Sequence, residues 1–207
     1  MLRTVAIFIA MLCVVSVPAF AVQPSNYVSG KLGVYFPTSS EMSGIGGGPN
    51  VEVSLGHYFN PYFAGEIGIG YFSVDGESNG TILGGLSVTE KDKLNVYPVT
   101  ITGKGIIPFQ NGELYGGVGL GVYFAELEAE IGNLGLGQES HSSRDTAFGV
   151  HILMGGNYNI NPKIYIGGEM KYMLARATFN ATFFGDQLTA QTKMDGIITT
   201  VNLGYRF

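Results

Sequence analysis

The sequence predicts an all-β protein, an eight-stranded antiparallel up-and-down β-barrel that spans a membrane. Apolar and polar residues alternate with period two in eight segments of about ten residues each, the pattern of strands with one apolar face. Short turns alternate with long polar stretches between these segments. Charged residues of the segments occupy only one of the two faces, as a bilayer requires of the side that contacts lipid.

The composition of the 207-residue chain agrees with this fold class and excludes others. Hydrophobic residues make up 45% and charged residues 13%, which excludes the low hydrophobicity and high charge of a disordered chain. The 32 glycines show no three-residue period, which excludes a collagen-like chain. The net charge of −5 repels a phosphate backbone, so we expect no nucleic-acid partner.

Residues 1–21 have the parts of a secretory signal peptide. Arg3 precedes an apolar run of 11 residues, which is too short for a membrane-spanning helix of about 20 residues. A small-x-small sequence ending at Ala21 completes the pattern. We therefore expect removal of this segment, which leaves residues 22–207 as the barrel domain. The single cysteine, Cys13, leaves with the signal peptide, so we expect no disulfide.

The eight strands are identified by the apolar residues of one shared face. Small, polar or charged residues alternate with them on the other face. In chain order, the apolar faces run from Val28 to Phe36, Val51 to Leu55, Ile67 to Tyr71, Tyr97 to Ile101, Val118 to Phe124, Phe148 to Met154, Ile164 to Tyr172, and Val201 to Phe207. Tilted strands of roughly 9–11 residues are long enough to cross a bilayer.

The connections between the strands alternate in kind. Short turns are predicted at Asn60-Pro61, Pro108 to Gly112 and Asn161-Pro162, and long loops at residues 37–48, 75–92, 126–144 and 176–193. Three turns and four loops make seven connections, the number that joins eight strands. In an antiparallel barrel, every turn then lies at one end and every loop at the other.

The charged residues of the strands decide which face points outward. They share the polar face and are Lys31, Glu52, Glu66, Lys104, Glu169, Lys171 and Arg206. A soluble barrel with the apolar faces outside would expose far too large an apolar patch, whereas a membrane barrel combines an apolar exterior with a polar interior. An eight-stranded barrel has a lumen just wide enough for side chains. We therefore expect these seven residues to form a paired network inside the lumen, with an inner net charge of +1.

Aromatic residues gather near the predicted strand ends, where membrane barrels carry interfacial girdles. The predicted girdle residues are Phe36, Tyr58, Phe59, Tyr62, Phe63, Tyr71, Tyr97, Phe124, Phe148, Tyr158 and Tyr205. The general preference of aromatic residues for strands explains their presence but not their positions.

Four segments make the chain resemble the small eight-stranded outer-membrane barrels of Gram-negative bacteria, the group with outer-membrane protein W and the membrane domain of outer-membrane protein A. They are Tyr97 to Thr100, Leu114 to Gly119, Asp145 to Tyr158, and Leu203 to Phe207. The resemblance implies an outer-membrane location, with outer-membrane lipid and lipopolysaccharide as neighbours. It also implies that Leu203, Tyr205 and Phe207 form a terminal aromatic signal read by the outer-membrane assembly machinery.

We expect no catalytic residue, cofactor or metal site. His57 and His151 lie on predicted strands without a partner at ligand spacing, so we interpret both as structural. His141 and Ser143 have a His-x-Ser spacing that resembles lipid A deacylases, but a solvated loop explains the spacing better. The glycine-rich segment 44–48 lacks the third glycine and the helix of a dinucleotide site.

Two of the long loops carry features with more than one interpretation. Glu126, Glu128 and Glu130 form an acidic ladder, which is either a site for divalent cations that bridge lipopolysaccharide or an ordinary solvated strand end. Phe179, Phe183 and Phe184 either pack over the barrel mouth or contact lipid or a partner.

These observations favour a monomeric, non-enzymatic outer-membrane barrel with a structural or surface-interaction role. The resemblance to outer-membrane protein W implies an alternative, a narrow channel for small hydrophobic molecules that leave sideways into the membrane. The gating tryptophan of that group has no counterpart, since the chain has no Trp. A lipid A-modifying barrel enzyme is a remote alternative.

Overall fold

The computed structural model describes residues 25–39, 46–82, 86–131, 139–183 and 186–207. Within these residues the regular elements are strands: β1 Ser25–Pro37, β2 Gly48–Asn60, β3 Phe63–Ile82, β4 Leu86–Phe109, β5 Gly112–Ile131, β6 Glu139–Asn159, β7 Ile164–Phe183, β8 Asp186–Lys193 and β9 Gly196–Arg206. No helix in this part of the chain is long and apolar enough to cross a membrane. The predicted signal peptide, residues 1–21, lies outside the described residues.

The strands form one closed antiparallel barrel. Each of β1 to β6 pairs with the next strand in the chain, and β9 closes the ring by pairing with both β1 and β7. β8 pairs with the final part of β7, so β8 and β9 are one barrel strand interrupted at Met194 and Asp195. The predicted eight-stranded up-and-down barrel is confirmed.

The barrel wall stays hydrogen-bonded at the point where the last barrel strand is interrupted. Met194 N donates to Ala175 O at 2.9 Å, and Thr38 N donates to Asp195 O at 2.9 Å. Ala175 N donates to the Asp195 carboxylate at 3.2 Å. The Asp195 side chain thus supplies the acceptor that a continuous ladder would take from the backbone.

The predicted turns occur at one end, which we call the turn end; the opposite end is the loop end. Asn60 Oδ1 accepts a hydrogen bond from Tyr62 N at 2.8 Å, and Asn161 Oδ1 accepts one from Ile164 N at 2.8 Å. Asparagine favours turns because its side chain bonds to backbone amides a few residues ahead. Residues 110–111 form the remaining turn, between β4 and β5.

Three of the four predicted long loops are wrong, because most of their residues extend the strands. The ladders continue to the pairs Ile82 with Leu86, Ile131 with Glu139, and Phe183 with Asp186. These segments lack the period-two apolar alternation that predicts a strand from sequence, although their backbones are paired in the ladder. The remaining predicted loop, residues 37–48, spans the interval from the end of β1 at Pro37 to the start of β2 at Gly48, and its residues 40–45 lie outside the described part of the chain.

The two faces of the barrel wall differ as predicted. Outward-facing residues such as Leu120 and Ile152 are 61% and 58% exposed, whereas the inward-facing polar residues are buried. Exposed aromatic residues form a band at each end: Phe59, Tyr62, Phe63, Tyr158 and Tyr205 at the turn end, and Phe36, Tyr97, Phe124 and Phe148 toward the loop end. Tyr58 was wrongly placed in a girdle, because its position on β2 directs its ring into the lumen.

Candidate functional site: the lumen of the barrel

The lumen collects the charged side chains that the sequence analysis singled out. Six of the seven predicted network residues are buried, and the seventh, Arg206, is half-buried at the turn end. The seven residues come from β1, β2, β3, β4, β7 and β9, because every strand presents alternate residues to the narrow interior.

Lys31 lies at the centre of three carboxylates. Its Nζ is 2.8 Å from Glu52 Oε1, 2.8 Å from Glu66 Oε1 and 3.0 Å from Glu169 Oε1. One ammonium cannot balance three carboxylates, so the group requires further cations.

Lys104 and Lys171 supply this balance. Lys104 Nζ is 2.6 Å from Glu66 Oε2 and 3.4 Å from Glu169 Oε2. Lys171 Nζ is 2.5 Å from Glu52 Oε2. We call these six residues, Lys31, Glu52, Glu66, Lys104, Glu169 and Lys171, the central charge network. It contains three lysines and three glutamates and is neutral as a unit.

Neutral donors add to the coordination of two of the three carboxylates. Tyr27 donates its hydroxyl to Glu66 Oε2 at 2.7 Å, and Tyr115 donates to Glu169 Oε2 at 3.1 Å. Lys104 Nζ also lies 4.7 Å from the centre of the Tyr115 ring. A buried ion pair is stable only when its remaining hydrogen-bonding capacity is satisfied, and these contacts contribute to that at Glu66 and Glu169.

Arg206 does not join the central charge network but forms a separate ion pair with Glu113. Its Nη2 is 3.4 Å from Glu113 Oε1, and its Nη1 donates to Asn159 Oδ1 at 2.6 Å. Glu113 Oε1 also accepts from the Tyr58 hydroxyl at 2.6 Å and from Asn157 Nδ2 at 2.7 Å. We call Arg206 and Glu113 the turn-end pair.

Sequence reasoning missed Glu113, although a signal was available. Glu113 lies just after the predicted turn Pro108 to Gly112 and before the predicted apolar face of the next strand, so it was assigned to neither, yet it has the same strand parity as the inward-facing Tyr115. With Glu113 included, the ion pairs described in the lumen join four cations to four carboxylates. The expected inner charge of +1 is therefore wrong, and these groups sum to zero.

Tyrosine rings occupy space that inward-facing glycines leave free. The Tyr27 ring lies over Gly56, and the Tyr165 ring lies over Gly204. A Cβ atom at either glycine would overlap the ring. Glycine is required at these positions because the aromatic ring packs directly against the backbone of a neighbouring strand.

The loop-end half of the lumen is apolar. We call its buried residues the apolar cluster: Tyr35, Phe72, Val74, Leu94, Val96, Tyr123, Ala125, Ala147, Met173, Ala175, Met194 and Ile198. Tyr35 and Phe72 stack with ring centres 4.4 Å apart. The loop-end half of the lumen is thus an apolar layer. The turn-end half, which we call the ionic layer, combines the ion pairs with a second cluster of buried residues that includes Ala64, Ile106 and Leu153.

The ionic layer leaves very little free volume. A cavity beside it measures about 10 Å³, which is room for roughly one water molecule. Side chains therefore fill this half of the lumen, as expected for eight strands.

The two described histidine side chains have structural contacts. His151 is buried in the lumen, with Nε2 2.9 Å from Thr102 Oγ1. His57 lies on the outer face, with Nδ1 2.9 Å from Asn26 Oδ1. His141 belongs to β6 by its backbone, but its side chain and that of Ser143 lie outside the described part of the chain. Among the described residues no group of histidine, cysteine or acidic side chains is arranged to hold a metal ion.

The register of the acidic ladder favours an ordinary charged strand end. Glu126 is paired in register with Arg144, Glu128 with Lys93, and Glu130 with Lys91. Each acidic position is thus paired in backbone register with a basic position on a neighbouring strand, and opposite charges at such positions stabilise a sheet. Phe184 and the side chains of Phe179 and Phe183 lie outside the described part of the chain.

The predicted assembly residues lie where the barrel closes. Leu203, Tyr205 and Phe207 are 60%, 42% and 61% exposed on the outer face. Phe207 N donates to Asn26 O at 2.9 Å, and Asn26 N donates to Phe207 O at 3.0 Å. The end of the chain is thereby fixed to the first strand.

A family model described as "Outer membrane protein beta-barrel domain" matches residues 7–207. The chain belongs to this family of outer-membrane β-barrel proteins. The protein is therefore located in a bacterial outer membrane, and the short turns of such barrels face the periplasm. No curated protein sequence matches the chain.

Solved outer-membrane barrels share the fold at low sequence identity. The outer membrane protein OprG from Pseudomonas aeruginosa is 12% identical, with a TM-score of 0.61 over 89% of this chain and 96% of that one. A major outer membrane protein from Thermus thermophilus is 14% identical, with a TM-score of 0.55 over 89% and 99%. Neisserial surface protein A is 15% identical, with a TM-score of 0.50 over 87% and 95%. These similarities show the fold alone.

Proposed function

We propose that this outer-membrane barrel is non-enzymatic and does not pass polar solutes, and that it has a structural or surface-interaction role in the cell envelope. The observation that carries the proposal is the closed ionic layer. Lys31 contacts three carboxylates from three other strands, so the side chains cross the lumen and occupy the path that a solute would take.

The free energy needed to separate the ion pairs of this layer opposes the opening of the lumen. An unpaired buried charge costs several kcal/mol, on the order of 3–5 kcal/mol when a partner is removed. A solute that passes through must separate Lys31, Lys104 or Lys171 from its carboxylates. Thermal separation of these ion pairs is rare, so the lumen stays closed to polar solutes.

The loop end supports the surface-interaction role. β4 and β5 remain paired as far as Glu90 with Ile131, well beyond the aromatic band at Tyr97 and Phe124. The wall therefore projects above the bilayer and presents paired acidic and basic positions. Lipopolysaccharide and other components of the cell surface are the partners we propose for this projection, with the barrel acting as a monomer.

Flux into liposomes tests the proposal. Purified protein is reconstituted, and the entry of small polar and small apolar solutes is compared with that into protein-free liposomes. We expect polar solutes to enter at the protein-free rate. Protein-dependent entry of small sugars or ions contradicts the closed lumen.

A second candidate function is a narrow channel for small hydrophobic molecules. The apolar cluster favours it, because Met173, Met194 and Phe72 are buried in the loop-end half of the lumen and would line an apolar path if these side chains moved apart. A molecule bound there must leave through the wall, since the ionic layer lies below. Protein-dependent entry of apolar solutes alone would support this second function, and loss of that entry in Met173→Glu would assign it to the apolar cluster.

A further inference from the structure

A groove of about 440 Å³ lies on the outer face of the barrel wall near the turn end. Gly65 forms part of its floor, and Leu55, Phe59, Ile67 and Ile101 line its sides. These four apolar side chains are between 58% and 62% exposed. The volume is in the range of ligand pockets, roughly 300–1,000 Å³. An apolar groove of ligand size therefore opens on the side of the barrel that contacts lipid.

The groove exists because one outward-facing row of the ladder carries glycine in place of larger side chains. Leu55 is paired in register with Ile67. The next outward row toward the turn end pairs His57 with Gly65, and Gly65 with Gly103. A Cβ atom added at Gly103 would meet no atom within 4 Å. The wall is therefore recessed along this row, below the apolar side chains of the row before it.

The depth of the groove in the membrane determines which chemistry can fill it. The chain belongs to a family of outer-membrane barrels, whose outer face contacts lipid. The groove lies between the turn-end aromatic band, which includes Phe59, and the middle of the bilayer. A water molecule needs two to four polar partners, and the apolar sides of the groove offer none. An acyl chain matches the chemistry of these sides.

Polar groups lie at the turn-end margin of the groove. Asn26 and His57 line it there and are paired in register between β1 and β2. His57 Nδ1 is 2.9 Å from Asn26 Oδ1. Amide and imidazole groups form hydrogen bonds with the oxygens of esters and phosphates. The groove thus combines apolar sides with a polar margin, as a lipid with a polar headgroup requires.

We propose that the groove binds one acyl chain of a glycerophospholipid from the periplasmic leaflet, with the headgroup beside Asn26 and His57. The short turns of such barrels face the periplasm, so the turn-end half of the wall lies in that leaflet. The bound chain fills the recess at Gly65 and supplies the dispersion contacts that an unfilled recess would lack.

Lipid retention measured by native mass spectrometry tests this site. The full protein is reconstituted with phosphatidylethanolamine and extracted into detergent. Gly65→Leu fills the groove, and its Cβ would lie 3.2 Å from the ring of Phe59, which is exposed and free to shift. Gly168→Leu is the matched control on β7, outside the groove, where a Cβ would meet only Thr200 O at 3.7 Å. We expect the unchanged protein and Gly168→Leu to retain one lipid, and Gly65→Leu to retain roughly tenfold less.

Each other outcome contradicts the proposal. Equal retention by all three proteins places the lipid outside the groove. Loss of lipid in both glycine variants indicates a general lipid shell and no particular site. Absence of lipid from the unchanged protein shows that the groove holds none. A dimer without lipid assigns the groove to a second copy of the chain.

Cross-linking decides the question if Gly65→Leu does not fold. Phosphatidylethanolamine with a diazirine on its acyl chain is added to vesicles that contain the unchanged protein, and labelled residues are identified by mass spectrometry. Leu55 and Ile67 should be labelled several-fold more than Met154 and Val201, which are exposed to a similar extent elsewhere on the outer face. Equal labelling of the four positions indicates bulk lipid contact alone and overturns the proposal.

Discussion

The inner and outer faces of the same strands meet opposite requirements. On β4, Lys104 points inward and pairs with two carboxylates, whereas Ile101 points outward and is 58% exposed to the bilayer side. Charge is tolerated at the inner face because each charge has a partner, and it would destabilise the outer face because lipid offers none. One wall of alternating residues therefore separates the lipid from the polar lumen. The expected effect of a substitution on the free energy of unfolding depends on the face more than on the residue type.

The largest effect is expected from removing a charge at the inner face. Lys31→Met leaves Glu52, Glu66 and Glu169 with fewer cations than carboxylates, which should lower the free energy of unfolding by about 3–5 kcal/mol. Urea unfolding in lipid vesicles measures this change in the free energy of unfolding. The matched control is Met173→Leu in the apolar cluster, where a swap of similar volume costs less than about 1.5 kcal/mol. Equal costs for the two variants would show that the ionic layer has no special role.

A charge added to the outer face should have the next largest effect. Leu120→Arg places a guanidinium on the lipid side and should lower the free energy of unfolding by about 2–4 kcal/mol. Leu120→Met keeps the position apolar and serves as the control. If Leu120→Arg is as stable as Leu120→Met in vesicles, residue 120 does not face the membrane interior.

A smaller effect is expected from single hydroxyl groups within the lumen. Tyr27→Phe removes a hydrogen bond to the Glu66 carboxylate and should cost about 1.5–3 kcal/mol, the range for bonds to charged groups. Tyr123 is equally buried, but its hydroxyl has no hydrogen-bond partner among the described residues. Tyr123→Phe should therefore change the urea midpoint little. Similar losses for both variants would mean that ring packing, and not bonding to the network, gives Tyr27 its role.

The outer face at the end of β9 should show the smallest effect on stability. Phe207→Ala removes an exposed ring but keeps the backbone bonds between Phe207 and Asn26, so the unfolding midpoint of purified protein should change little. If the terminal aromatic residue is read during assembly, the amount of protein in the outer membrane should nevertheless decrease. Normal amounts in membrane fractions would limit Phe207 to a packing role.

The sequence predicted the faces of the wall well because alternation is a local property. A strand reverses its side chain at every residue, so Glu66 and Lys104 could be assigned to the lumen from neighbouring residues alone. Their partners could not be predicted in this way. Lys31 contacts Glu169, which is 138 residues away in the chain, and that contact depends on the closure of the barrel and the tilt of its strands.

The wrong predictions arise where the local alternation of residues is weak or was not applied. Strands continue through residues 75–82 and 86–92, where the sequence lacks the period-two apolar alternation that predicts a strand. Glu113 was missed because it lies next to a turn, where the period-two pattern has barely begun. Tyr58 was placed outside because aromatic residues near strand ends were all assigned to the girdle, although its parity with Glu52 places it inside.

The closure of the lumen is tested most directly by single-channel recording in planar bilayers. The purified full-length protein is added at several salt concentrations, and the current is recorded across a range of voltages. Because Lys31, Lys104 and Lys171 are held by carboxylates across the lumen, we expect no steady single-channel current above that of the bare bilayer. Large, steady currents that increase in proportion to salt concentration would show an open aqueous pore and contradict the account.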